Sequence, residues 1–232
     1  MVEIALCLAI IGFALVVIIG LLPLGMREQR DNRERTIINQ DATVFVEAIR
    51  NGARGADDLV NYVYAITNYQ TLFPAGTTTI NGYGNFTSGA NIVGLLSTPE
   101  YTDNNGMALP DLSGGGYSNH VVAYVRSMSG PAVEKPPQNT LLVQGAFSYR
   151  VICENVPVVV TPNSSYSTNL AVNLHDLQLT FLWPQLPNGN LPPQPSRQPY
   201  RTLIAGRQIL DANTVPGTKL YFFQPQFFTN AP

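Results

Sequence analysis

Few side chains in this 232-residue chain are of the kinds that make or break bonds. There are two histidines, His120 and His175. His175 precedes Asp176 in an alternating run, so on a strand the two side chains leave opposite faces. Ser-His-Asp catalysis needs its three groups within hydrogen-bond reach beside an oxyanion site. No G-x-S-x-G elbow occurs, and both histidines read as structural residues. Asp103-Asn104-Asn105-Gly106 with Asp111 offers the oxygen ligands that calcium takes. Asp103, Asn105 and Asp111 are the weak candidates for it. The EF-hand spacing and its terminal Glu are missing, so a turn is the simpler reading. Gly114-Gly115-Gly116 lacks the Lys-Ser/Thr pair of a phosphate loop. Cys7 and Cys153 form no CxxC pattern, and no His-rich metal motif occurs. Asn85 and Asn163 each open a glycosylation sequon, a pattern common by chance. The aromatic residues mostly alternate with strand period, which favours core packing over electron transfer. These residues imply no enzyme, no metal and no cofactor.

Glu3 stands out by its setting. Residues 4–26 carry no charge, and the charged stretch Arg27-Glu28-Gln29-Arg30-Asp31-Asn32-Arg33-Glu34-Arg35 follows at once. At 1.5 Å per residue the run makes a helix of roughly 35 Å. That spans a hydrocarbon core of about 30 Å. A charge at the centre of a membrane helix costs about 2.5–3.5 kcal/mol even on lenient scales, so Glu3 belongs at the edge unless something neutralises it. A secretory signal peptide does not fit, because no basic segment precedes the run and the run is too long.

Met1-Val2-Glu3-Ile4-Ala5-Leu6-Cys7-Leu8-Ala9-Ile10-Ile11-Gly12-Phe13 resembles the mature amino terminus of a type IV pilin or type II secretion pseudopilin. Glu3 matches the family's glutamate and Gly12 a glycine at the usual distance after it. The continuation Gly20-Leu21-Leu22-Pro23-Leu24-Gly25 is similar to a pseudopilin-like branch associated with Verrucomicrobia. The motif covers roughly the first tenth of the chain. Two departures stand out: the family's glutamate is fifth after cleavage, and many members carry proline where Gly20 stands. The resemblance implies cleavage by a prepilin peptidase, N-methylation, and pairing of Glu3 with a neighbouring subunit's terminal amine. It also implies local melting near Gly20 and Pro23 on polymerisation; a static proline kink is the alternative. Arg27, Arg30, Arg33 and Arg35 after the span would be held in the cytoplasm by the positive-inside tendency, whereas the family places them outside. Removal of a basic leader would reconcile the two.

Composition fits this picture. Net charge is −2 with 12% charged residues, unlike a nucleic-acid binder with its basic stripe. Gly 19 and Pro 18 fit a loop-rich, mostly β body. Low charge with Phe 10 and Tyr 11 fits a surface covered by identical neighbours.

The expected fold class is α+β: a long N-terminal helix, apolar in its first half and amphipathic in its second, packed on an antiparallel β-sheet head with long loops. Residues 1–54 form the helical part, with 4–26 as the membrane or filament-core segment, and 55–232 the head. Ile37, Ile38, Ala42, Phe45, Ala48 and Ile49 make a helical stripe, and Asn51-Gly52 is a plausible stop. Gly20 and Pro23 predict a kink or unwound segment between Gly12 and Pro23. Asp57 is expected to cap a second helix over 58–69, with Leu59, Val60, Val63 and Ile66 inward. Residues 74–118 read as a long irregular loop region with two short strands at most. Strands are expected over 121–128, 146–155 (extended by 158–161), 174–183, 200–209 and 219–223, about five in all, with a proline-rich hairpin loop over 184–199. In 174–183, Leu177, Leu179, Phe181 and Trp183 face inward. The aromatic tail around Phe227 and Phe228 is expected on the body or on a neighbour.

The expected function is that of a homopolymeric filament subunit held in the inner membrane, assembled by pilus machinery, then displayed outside the cell. A type II secretion pseudopilin is the near alternative. A single-span membrane-anchored binding protein that never polymerises is the distant one.

Overall fold

A computed structural model describes residues 2–129, 146–160, 165–186, 188–211 and 218–228. Helix α1 (Val2–Arg50) opens the chain. A 3₁₀ turn (Asp57–Asn61) leads to β1 (Val63–Phe73) and β2 (Thr77–Gly84). Then come α2 (Gly89–Leu96), β3 (Tyr101–Thr102), β4 (Gly116–Arg126) and β5 (Ser148–Pro157). Helix α3 (Ser165–Asn173), β6 (Leu174–Trp183), β7 (Ser196–Ala205), β8 (Arg207–Asp211) and β9 (Leu220–Gln224) complete it. The fold class is α+β, as expected. Two compact units are distinguished, Met1–Gln40 and Asp41–Pro232, and their border falls inside α1.

In the second unit the main sheet has seven strands in the order β2-β1-β4-β5-β6-β7, with β3 on the start of β4. Every pairing is antiparallel. One cross-strand row shows why: Ile66 faces Ala123, Ala123 faces Val151, and Val151 faces Phe181. All four side chains are fully buried. Burying a side chain of Ile or Phe size contributes about 1.5–3 kcal/mol, so a one-residue slip, which moves a whole set to water, is strongly disfavoured. Positions 41–50 of α1 cover this face with Ala42, Phe45, Ala48 and Ile49, all buried. The Phe45 and Phe181 rings meet at 6.3 Å and those of Tyr149 and Phe181 at 5.6 Å. Truncating Phe45 to Ala would open a cavity costing about 3–5 kcal/mol.

One buried carboxylate fastens this layer. Asp41 accepts hydrogen bonds from the Tyr149 hydroxyl at 2.8 Å, the Met128 N–H at 3.0 Å and the Ser129 hydroxyl at 2.5 Å. Burial raises the Asp41 pKa, and the three donors oppose that rise. Helix α1 ends where Asn51-Gly52 predicts: Gly52 has φ +62°, and the Ala53 N–H returns to the Ala48 carbonyl at 3.2 Å.

Several expectations are corrected. No second helix fills 58–69; the 3₁₀ turn stops at Asn61 and β1 begins at Val63. The β-branched and aromatic residues Val63, Tyr64, Ile66, Thr67, Tyr69 and Thr71 fit a strand flanked on both sides. Asp57 is not the cap; Ala56 holds that position, without a side-chain bond. Residues 74–118 are far more ordered than expected, holding β2, α2, β3 and the start of β4. Ser88 caps α2, accepting from the Ala90 N–H at 3.1 Å. Residues 196–199 belong to β7 rather than to the loop, and Pro199 sits opposite Thr180. It is tolerated because β7 is an edge strand.

The strand expected over 200–209 is broken at Gly206, with φ +122°. A Cβ there would meet the Gln224 carbonyl oxygen at 2.5 Å. Beyond it the chain enters a separate two-stranded sheet of β8 and β9, so 219–223 does not join the main sheet. Residues 158–160 do not extend β5, and Thr161 lies outside the described residues. Nine strands are seen among the described residues, against about five expected together with two short ones over 74–118. The alternation expected in β5 and β6 holds: Tyr149, Val151, Cys153, Leu177, Leu179, Phe181 and Trp183 are all buried.

Candidate functional site

The first candidate is the apolar half of α1. Every residue from 2 to 33 is exposed. Between 4 and 26 there are 15 large apolar side chains open to the surroundings, among them Leu6, Ile10, Phe13, Val16 and Ile19 on successive turns. The helix is greasy all round rather than on one stripe, the pattern of a segment meant to be fully enclosed. At ~1.5 kcal/mol per side chain, leaving them in water forgoes on the order of 20 kcal/mol. Gly12, Gly20 and Gly25 have nothing within 4 Å of where a Cβ would stand. Such small positions let another helix approach closely. Glu3 lies in the first turn, where the helix dipole favours a negative charge. Arg30 and Glu34 pair at 2.8 Å on the polar stretch that follows. Of the kink or unwound segment expected between Gly12 and Pro23, the unwound form is not seen; the backbone is helical throughout, with Pro23 inside α1. Proline removes only one backbone donor, and the helix continues on both sides of it. By length and composition α1 can span a membrane or serve as a signal anchor. Met1 lies outside the described residues.

The second candidate is a groove on the face of the main sheet opposite Phe45. Strand alternation places Tyr69, His120, Val122, Tyr124, Arg150, Ile152 and Leu182 around a cavity of about 310 Å³. Tyr69 and His120 are a cross-strand pair with rings 6.2 Å apart. Tyr124, Arg150 and Leu182 form one row across β4, β5 and β6. The Arg150 guanidinium lies 5.0 Å over the Tyr124 ring and donates from Nη2 to the Gly189 carbonyl. Its Nε is buried with no acceptor among the described residues. Gln185 ties the wall together, accepting from the Tyr64 hydroxyl at 2.8 Å and donating to Gly189 O at 3.0 Å. The hydrogen bond with Tyr124 and partial burial raise the Tyr69 pKa; burial raises that of Tyr64. Sequence reasoning missed this groove because it placed Tyr69 on a helix.

His175 and Asp176 do point to opposite faces. His175 is buried, with Nδ1 3.1 Å from Asn155 Oδ1 and its ring edge-on to Phe223 at 5.1 Å. Burial lowers its pKa to about 4. Asn155 and Gln208 both donate to the Ser97 carbonyl, at 2.8 and 2.6 Å, so the histidine belongs to a packing network. Asp176 is held by Arg201 from the outer face.

The calcium candidates serve their own turns. Asp103 Oδ1 accepts from the Met107 N–H at 2.7 Å, and Asp111 Oδ1 accepts from the Ser113 N–H at 2.9 Å and hydroxyl at 2.6 Å. Asn105 lies inside the turn closed by the Gly106 N–H on Asp103 O at 3.1 Å. Among the described residues no three His, Cys, Asp or Glu side chains gather as a metal site would need. Cys7 is exposed on the rod and Cys153 is buried; both are free, and burial pushes the Cys153 thiol up. Asn85 sits in a turn with φ +52°, whereas the sequon at Asn163 lies outside the described residues. Phe227 and Phe228 are exposed, although the Phe227 carbonyl accepts from the Arg207 N–H at 2.8 Å. Compared with known proteins, the chain matches no family model, no curated protein and no solved structure.

Proposed function

We propose that this chain is the structural subunit of a type IV pilus-like extracellular filament and polymerises through α1. The observation that carries the proposal is the exposure of the apolar run on every side from residue 4 to residue 26. A helix of this kind is stable only when enclosed, and other copies of itself enclose it as well as lipid does. Glu3 then neutralises the terminal amine of the next copy, because an unpaired charge in an apolar bundle is costly. The polar heads form the outer wall. Before assembly the subunit rests in the inner membrane, where prepilin peptidase and the pilus assembly machinery act on it. A type II secretion pseudopilin would use the same contacts in a shorter, scarcer fibre.

One observation favours a second reading. The run is also long enough to cross a bilayer alone, as a single-span anchor for a binding domain requires. Detergent removal separates the two. A filament subunit gives pelletable fibres of uniform width by negative stain. An anchored monomer gives amorphous aggregate, and returns to single-copy particles when detergent is restored.

A further inference from the structure

The groove on the outer sheet face has features that core packing does not require. Its floor is aliphatic, from Val122, Ile152 and Leu182, and its walls are the rings of Tyr69, His120 and Tyr124. Arg150 lines the same cavity, and among the described residues no carboxylate pairs with it. Among the described residues its acceptor is the carbonyl of Gly189. The same cross-strand row continues past Leu182 to Arg197, which is exposed and also without an acidic partner among the described residues. The carboxylate of Asp176, also on the outer face, is already engaged by Arg201. Glu154 lies on the same outer face, one alternation past Ile152 on β5 and away from Arg150. The groove therefore keeps a net positive end over an apolar floor.

We propose that this groove binds a small planar carboxylic acid, with its ring over Ile152 and Leu182 beside Tyr124, and its carboxylate on Arg150. The volume of about 310 Å³ is that of a small ligand site. Arg150 is suited to the task because stacking on Tyr124 fixes its plane, and a planar guanidinium binds a carboxylate through parallel N–H bonds. Tyrosine rings favour offset or edge contact with another ring. A sugar acid fits less well, since its hydroxyls would lie unpaired against the aliphatic floor. The inference does not depend on polymerisation.

The test is titration of the full-length chain, in polyoxyethylene detergent micelles, with 2-naphthoate, followed by saturation-transfer NMR against empty micelles. Saturable binding is expected, weakened at least tenfold for the neutral 2-naphthalenemethanol and for glucuronate. Arg150→Gln should weaken naphthoate binding at least tenfold, Arg150→Lys less. Leu182→Trp, which fills the cavity while keeping the charge, should abolish it. Near-UV circular dichroism identifies variants that retain the fold. Absence of saturable binding would overturn the proposal, as would unchanged affinity in folded Arg150→Gln or Leu182→Trp. Glucuronate binding as tightly as naphthoate would overturn the planar, apolar part of it.

Discussion

Replacing Asp41 by Ala probes how the C-terminal part of α1 is fastened to the sheet. The carboxylate accepts three hydrogen bonds. Its removal strands the Tyr149 hydroxyl, whose residue is fully buried, at about 1–3 kcal/mol. The Met128 N–H and Ser129 hydroxyl are only part-buried and can turn to water, at roughly 0.5–1 kcal/mol each. Relief of the carboxylate's own desolvation offsets part of this, leaving a loss of about 3 kcal/mol. Tyr149→Phe removes one donor and leaves two, for about 1–2 kcal/mol. The two changes share a bond, so their effects should not add, with a coupling above ~0.5 kcal/mol. The assay is urea unfolding of the full chain in micelles, read by Trp183, the single tryptophan and a buried one. The sign of the pH dependence follows from the raised pKa. Above the ordinary carboxylate value the folded state holds the proton more readily than the unfolded state. The Asp41 contribution is therefore greatest at acid pH and declines as pH rises through the folded pKa. Wild type should gain on Asp41→Asn as pH falls through that window. A loss below ~0.5 kcal/mol for Asp41→Ala, or additive effects with Tyr149→Phe, would refute the fastening role.

His175 is buried neutral with its pKa lowered to about 4. Its contribution should be present above pH ~6.5 and fall away toward pH ~4, about 3 kcal/mol in all at 1.36 kcal/mol per unit. His175→Gln should flatten that part of the urea midpoint against pH. Gly206→Ala forces a Cβ against the Gln224 carbonyl at positive φ. It should lower stability by about 1–3 kcal/mol and speed hydrogen exchange in β8 and β9 before the main sheet. Glu3→Ala should leave the chain membrane-inserted but impair assembly, as measured by fibre yield per membrane-extracted subunit; a normal yield would remove Glu3 from the mechanism.

What the sequence disclosed depended on how locally each feature is encoded. The rod is a run of composition, and β6 alternates strictly from Leu177 to Trp183, so both are readable from neighbours alone. Strand β1 is obscured because Leu59, Val60, Val63 and Ile66 fall at spacings a helix also gives, so period and β-branched content point to different elements. Strand β2 has almost no apolar signal: it is an edge strand with most of its residues exposed, and Ile80 is 65% exposed. Helix α2 is short and carries two glycines. Gly89 is there because a Cβ would lie 1.9 Å from the Ala56 carbonyl oxygen, and Gly94 because one would lie 2.9 Å from Leu220 and Phe222. Such closeness is a tertiary fact that sequence reads as loop. The groove was the least legible part. Its lining comes from four strands, and no spacing connects Tyr69 to Arg150 until β1, β4 and β5 are in register.

Assembly through α1 requires that residues 4–26 be surrounded by the same segment of other copies. Cryo-electron microscopy of full-length chain freed of detergent tests this most directly. The account predicts fibres whose axis is a bundle of α1 rods from many copies, with the β heads outside. Particles or fibres in which each rod is sheathed by detergent or lipid and touches no other rod would contradict it.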